Sequence, residues 1–122
     1  MTESDRKKTE YLRSFEKTEK TIKDLEKRIR QIRDSCVNSS EYMNMAREAE
    51  EELEKERIKK LIIIKKIIDA IERIDKKNEQ EVIRKKYLDI KSNREIAKEM
   101  CYSESQIKRI HRMAIRNFKI NE

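Results

Sequence analysis

SNREIAKEMCYSESQIKRIHRMAIRNF, residues 92–118, holds two helix-start signals and a cationic helix in one short stretch, and its reading decides the fold. Ser92 followed three residues on by Glu95 is a capping box, in which each side chain satisfies a backbone N–H of the other residue. Ser103 with Gln106 repeats it. Helices are therefore expected over about 93–100 and 104–119, joined by a tight turn. Ile96, Ala97 and Met100 share one face of the first helix, and Ile107, Ile110 and Ala114 share one face of the second, so these faces meet when the helices cross steeply. Ala97 marks the crossing, where a larger side chain would force the helices apart. What remains outward on the second helix is Glu104, Ser105, Gln106, Lys108, Arg109, Arg112 and Arg116. That surface suits phosphates and guanine edges.

Upstream, Asn78 with Glu81 reads as a third capping box, opening a helix over about 79–88 whose apolar side is Val82, Ile83 and Tyr87. This helix would roof the pair. Residues 78–122 thus read as a helix-turn-helix domain, with Phe118 and Ile120 expected to fold back onto its core.

EIAKEMCYSESQIKRIHRMAI resembles region 4 of bacterial sigma factors, and with the preceding EVIRKKYLDIKSN it most resembles the sigma-region-4-like domain of small phage transcription regulators of the RinA and ArpU kind. The likeness covers about residues 78–119, and the rest of the chain matches only in being helical. It implies sequence-specific binding of double-stranded DNA, with the helix over about 104–119 in the major groove. Positions 104, 105, 108 and 109 match that family's base-contacting positions, so Glu104, Ser105, Gln106, Lys108 and Arg109 form the expected reading head. Lys91, Arg94, Lys98, Ser103, Arg112 and Arg116 flank it as expected contacts to the DNA backbone. RNA polymerase is a further partner by the same analogy. One departure is Cys101, at a turn position where such motifs often carry Gly; a left-handed backbone there costs roughly 1 kcal/mol more than with Gly. It reads as a variant turn.

Composition agrees with a thin helical shape. Of 122 residues 47% are charged and 35% hydrophobic, too few apolar groups for a thick core, and the absence of Gly and Pro argues against strands joined by tight turns. The net charge of +7 is uneven: residues 82–122 carry 11 Lys and Arg against 5 Asp and Glu, while residues 1–81 carry 21 against 20. The excess cation sits with the helix-turn-helix, which points to a polyanion partner. Cys36 and Cys101 lie far apart with no CxxC pair, so neither a disulfide scaffold nor a zinc site is implied and a reducing, cytoplasmic setting is expected, which the resemblance to phage regulators would make that of a bacterial host. The apolar run 61–71 is broken by Lys65, Lys66 and Asp69 and is too short for a bilayer. The start MTESDRKK lacks the apolar segment of a signal peptide. His111 reads as a surface or backbone-contacting residue, and the carboxylates of residues 48–56 point all round a helix. No catalytic group, metal or cofactor is expected.

In the N-terminal part Tyr11, Phe15, Thr18, Ile22, Leu25, Ile29, Ile32 and Cys36 alternate steps of four and three, the seam of a coiled-coil helix over about 4–36. CVNSSEYMN, residues 36–44, reads as the reversal into a second helix over about 45–76. Ala46, Ala49 and Leu53 form one stripe of that helix, and Leu61, Ile64, Ile68 and Ile71 another. The four-residue steps from Ala49 through Leu53 and Arg57 to Leu61 are a stutter. In an antiparallel hairpin Phe15 and Ile22 would lie near Ile68 and Leu61, and the Ile-rich end, apolar on more than one face, would be covered by the DNA-binding domain or a second subunit, with residues drawn from Ile62, Ile63, Ile67 and Ile74 left outward for a homodimer contact. The expected protein is all-α: a long helical hairpin in residues 1–77, then the helix-turn-helix domain in 78–122. The expected function is a phage-encoded, sequence-specific regulator of late-gene transcription. The alternative is a coiled-coil interaction protein, an RNA polymerase adaptor or small-terminase-like packaging component, with non-specific DNA contact.

Overall fold

The computed structural model describes residues 2–35 and 39–120, and among them every element is helical. Helix α1 spans Glu3–Asp34, α2 Ser40–Glu72, α3 Lys77–Ile83, α4 Asn93–Met100 and α5 Glu104–Asn117. A π-helical turn, Arg84–Leu88, extends α3. Cys36, the expected end of both the seam and the first helix, lies outside the described residues, as does the first part of the expected reversal. The chain divides into two compact units, Lys17–Ile62 and Met1–Glu16 with Ile63–Glu122.

In the Lys17–Ile62 unit the heptad seam is buried as its spacing predicts. Ile22, Leu25 and Ile29 pack with Ala49 and Leu53, and ion pairs Arg33–Glu50 and Lys60–Glu19 flank them. Two expectations fail here. Helix α2 begins at Ser40, not near 45, because Ser39 acts as its cap: the Ser39 hydroxyl accepts from the Tyr42 N–H at 3.2 Å. Leu61, placed on the inner stripe, is 67% exposed. The stutter explains it, since each four-residue step turns the face by about 40° and three of them carry Leu61 roughly 120° away from Ala49. Ile58 and Ile62 are exposed beside it.

The other unit is built around Leu12 and Phe15 of α1, Ile67, Ala70, Ile71 and Ile74, then Ile83, Tyr87, Ala114, Ile115 and Phe118. Ile67 and Ile74, expected outward, are therefore core residues, 0% and 2% exposed, and Phe15 joins the cluster of Ile67 and Ile71. The Ile-rich stretch is apolar on more than one face and needs cover beyond α1, from the C-terminal domain or a second subunit; α3, the π-helical turn and α5 provide it here. Helix α2 ends at Glu72 rather than 76 because its last N–H groups tighten to three-residue spacing, Arg73 to Ala70 O and Ile74 to Ile71 O. The Asn78–Glu81 box does not form. Helix α3 starts earlier, at Lys77 after a cap residue, Lys76, with no side-chain cap, because its first-turn side chains are engaged elsewhere. Gln80 Nε2 donates to Ile74 O at 2.6 Å, and buried Glu79 accepts from Asn117 Nδ2 at 2.7 Å.

Val82, Ile96, Ala97 and Ile107 form a second small core, with Met100 and Ile110 partly buried against it; Ala114, expected on the same face, joins the other cluster instead. Helix α5 stops at Asn117, two residues short of 119, because Phe118 is extended and fully buried. Its last carbonyls are capped from the far end of the chain: Lys8 Nζ donates to Ile115 O at 3.1 Å and to Arg116 O at 3.0 Å. Ile67→Ala should cost about 2–5 kcal/mol in urea denaturation, the range for emptying a fully buried site. An outward Ile67 would change stability by less than about 0.5 kcal/mol.

Candidate nucleic-acid interface

Both capping boxes are present in full. Ser92 Oγ accepts from the Glu95 N–H at 3.2 Å and Glu95 Oε1 from the Ser92 N–H at 3.3 Å; the Ser103 and Gln106 pair does the same at 3.1 and 2.8 Å. The turn between α4 and α5 is closed by Cys101 in the left-handed conformation (φ 60°, ψ 38°), with the Tyr102 N–H donating to Ala97 O at 3.0 Å. Cysteine thus takes the place Gly would fill. Ile90 at φ 55° does so before α4, so a chain without Gly accepts two strained positions to fix both ends of that helix.

At 100° per residue, Glu104, Lys108, Arg112, Ser105, Arg116 and Arg109 fall within an arc of about 140° on α5, and all six are exposed. Gln106 stands apart from them. It is half-buried and its carbonyl oxygen is held by the Ser103 N–H, leaving only its NH₂ to reach a base. Ser103 is likewise engaged as the cap. Arg94 and Lys98 are exposed on α4. Lys91 is compromised as a phosphate contact: it donates to Glu99 Oε1 at 2.7 Å, and Lys85 approaches the same oxygen at 3.4 Å. That hydrogen bond pushes the Lys91 ammonium above the usual lysine range and draws the Glu99 carboxyl below its own.

His111 is not the surface residue its isolation in the sequence implied. Its Nε2 lies 2.6 Å from the Tyr87 hydroxyl, and the two rings sit 5.7 Å apart. Burial, with Lys86 and Arg13 nearby, pushes the imidazole down to about 4. Burial raises the Tyr87 hydroxyl in turn, so at neutral pH Tyr87 O–H donates to an uncharged His111. Lys108, Arg112 and Arg116 share a cavity of about 320 Å³ with Asp5, His111 and Ile115, so the first turns of α1 border the cationic face. The sequence reading missed this border. Its one trace was Leu12, an apolar residue beside the heptad seam rather than on it.

Among the described residues no group of three or more His, Cys, Asp and Glu side chains is arranged to hold a metal, and no helix is long and apolar enough to cross a membrane. No family model, curated protein or solved structure matches the chain.

The His111 environment sets a pH dependence. With a folded value near 4 against about 6.5 unfolded, the folded state binds fewer protons between those limits, so stability is complete above 6.5 and lost as pH falls towards 4. Urea midpoints of the protein against His111→Asn should diverge through that window by on the order of 2 kcal/mol. Parallel curves would contradict the buried, neutral imidazole.

Proposed function

We propose that this protein is a sequence-specific DNA-binding transcription regulator of sigma-region-4-like construction, phage-encoded and acting on late genes in the cytoplasm of a bacterial host. The observation that carries it is the exposed arc of Ser105, Lys108, Arg109, Arg112 and Arg116 on a helix whose opposite face is locked by Ile107 and Ala114. In this reading α4 and α5 are the helix-turn-helix and α5 enters the major groove, where Lys108 and Arg109 reach base edges with Glu104 and Ser105 beside them. Arg94, Lys98, Arg112 and Arg116 hold backbone phosphates, with Lys91 a weaker contributor and Ser103 and Gln106 mainly caps. The two long helices form an antiparallel hairpin, a reading supported by the pairings of Glu19 with Lys60 and Arg33 with Glu50. RNA polymerase is a further partner.

A homodimer through that hairpin is part of the proposal, and it moves to new residues. Ile58, Leu61 and Ile62, all more than half exposed, form an i, i+3, i+4 stripe that a second copy would cover. The same stripe favours the second reading, a coiled-coil interaction protein with non-specific DNA contact.

A salt titration of duplex binding separates nucleic-acid binding from a merely solvated basic face. About five phosphate contacts per monomer give a log–log slope near −4 to −5, and a dimer about double. A flat titration would remove DNA from the account. Arg109→Ala should relax preference at one base pair by roughly 1–3 kcal/mol in competition between sequences. An equal loss on all sequences would make Arg109 a phosphate contact and favour the interaction-protein reading. In sedimentation equilibrium the wild type should dimerise and the Leu61→Glu, Ile62→Glu double variant should not; a wild type monomeric at tens of micromolar would defeat the dimer.

A further inference from the structure

Lys108, Arg112 and Arg116 stand on three successive turns of α5 and line one cavity of about 320 Å³, together with Thr2 and Asp5 from the start of α1. Among the described residues none of these three cations is in an ion pair. A fourth, Lys8, is bonded to the backbone of the cavity wall, donating to Ile115 O at 3.1 Å and Arg116 O at 3.0 Å. The acids are fewer. Asp5 lines the cavity with its Oδ2 accepting from the Thr2 N–H at 3.5 Å, and Glu104, exposed one turn before Lys108, stands outside the lining. Even with Glu104 counted, four cations face two carboxylates around an open space. Thr2 adds a donor. Its Oγ1 accepts from the Asp5 N–H at 3.1 Å, which leaves the hydroxyl proton for a ligand.

A concave site with an excess of one sign of charge concentrates the opposite ion. We propose that this cavity receives a backbone phosphate of DNA, with Arg112 and Arg116 donating to its oxygens, Lys108 adding charge, and Asp5 limiting the affinity by offsetting part of that charge. This rests on the DNA-binding reading above, and adds to it the first turn of α1 as a wall of the interface. Two guanidinium groups suit a phosphate because each planar fork donates to two oxygens at once, which a lysine ammonium does not do. The consequence peculiar to this site is the role of Asp5. An acid among phosphate-binding cations weakens binding, so removing its charge strengthens it.

The test is duplex-DNA binding over a salt series with the full chain, using the wild type, Asp5→Asn, Arg116→Gln and Arg116→Lys. Asp5→Asn keeps an acceptor for the Thr2 N–H and should tighten binding to all sequences alike, several-fold at moderate salt. A merely structural Asp5 would instead lower the thermal midpoint and leave DNA affinity unimproved. Arg116→Gln should reduce the slope by about 0.9 and weaken all sequences alike, whereas Arg116→Lys should keep the slope and bind less tightly than the wild type. Inorganic phosphate titrated into the DNA-free protein should bind the wild type and Arg116→Gln equally weakly. Phosphate binding seen with the wild type alone would give the cavity to a free phosphate ligand and overturn the backbone assignment. A steep wild-type slope with Asp5→Asn no tighter, or with Arg116→Gln unchanged, would overturn the cavity site and leave the DNA-binding reading standing. A wild-type slope of zero would overturn both.

Discussion

Lys8 reaches the exposed carbonyls at the end of α5, and Leu12, one turn further along α1, is fully buried among Ile67, Ile115 and Phe118. The rest of that unit depends on this meeting of the two ends of the sequence. Helices of eight and fourteen residues, α4 and α5, bury too little apolar surface to be stable as a pair. By covering Ala114, Ile115 and Phe118, α1 and the end of α2 supply the missing core. The ammonium of Lys8 also satisfies acceptors that would otherwise face solvent or remain unpaired.

Packing on one flank of α5 leaves the other flank polar. Ile115 and His111 turn towards α1, Ile107 packs against α4, and the outer face holds the arc from Glu104 to Arg109, with Met113 exposed beyond it. The backbone carrying that arc is therefore fixed by the buried neighbours on its other side. On the DNA-binding reading proposed above, a helix whose direction is already fixed loses less entropy on binding.

Strain is concentrated around α4. Cys101 and Ile90 both sit at positive φ, each at a cost of about 1–2 kcal/mol that a Gly would relieve, and the π-helical turn before Ile90 widens the approach by one residue. These features fix where Asn93 stands, and Asn93 holds Lys86. The local cost is offset by the complete burial of Ile96 and Ile107 on the helices so positioned.

The sequence by itself determined the helices in outline and two of the three capping boxes, because capping is local chemistry over three residues, overridden at Asn78–Glu81 where neighbouring side chains bond to distant segments. Ile22, Leu25 and Ile29, and equally Ile96, Ala97 and Ile107, lie where their periodicity puts them. Only the tertiary structure decided which face of the Ile-rich stretch is inside, since a helix that is apolar on several sides gives no direction until its neighbours are known. That is why Ile67 and Ile74 are core while Leu61 is bare. The same holds for Lys8, whose partners lie some hundred residues away and leave no periodic trace in the chain. Local hydrogen bonds are written in neighbouring residues; contacts between distant segments are settled by how the whole unit closes its core.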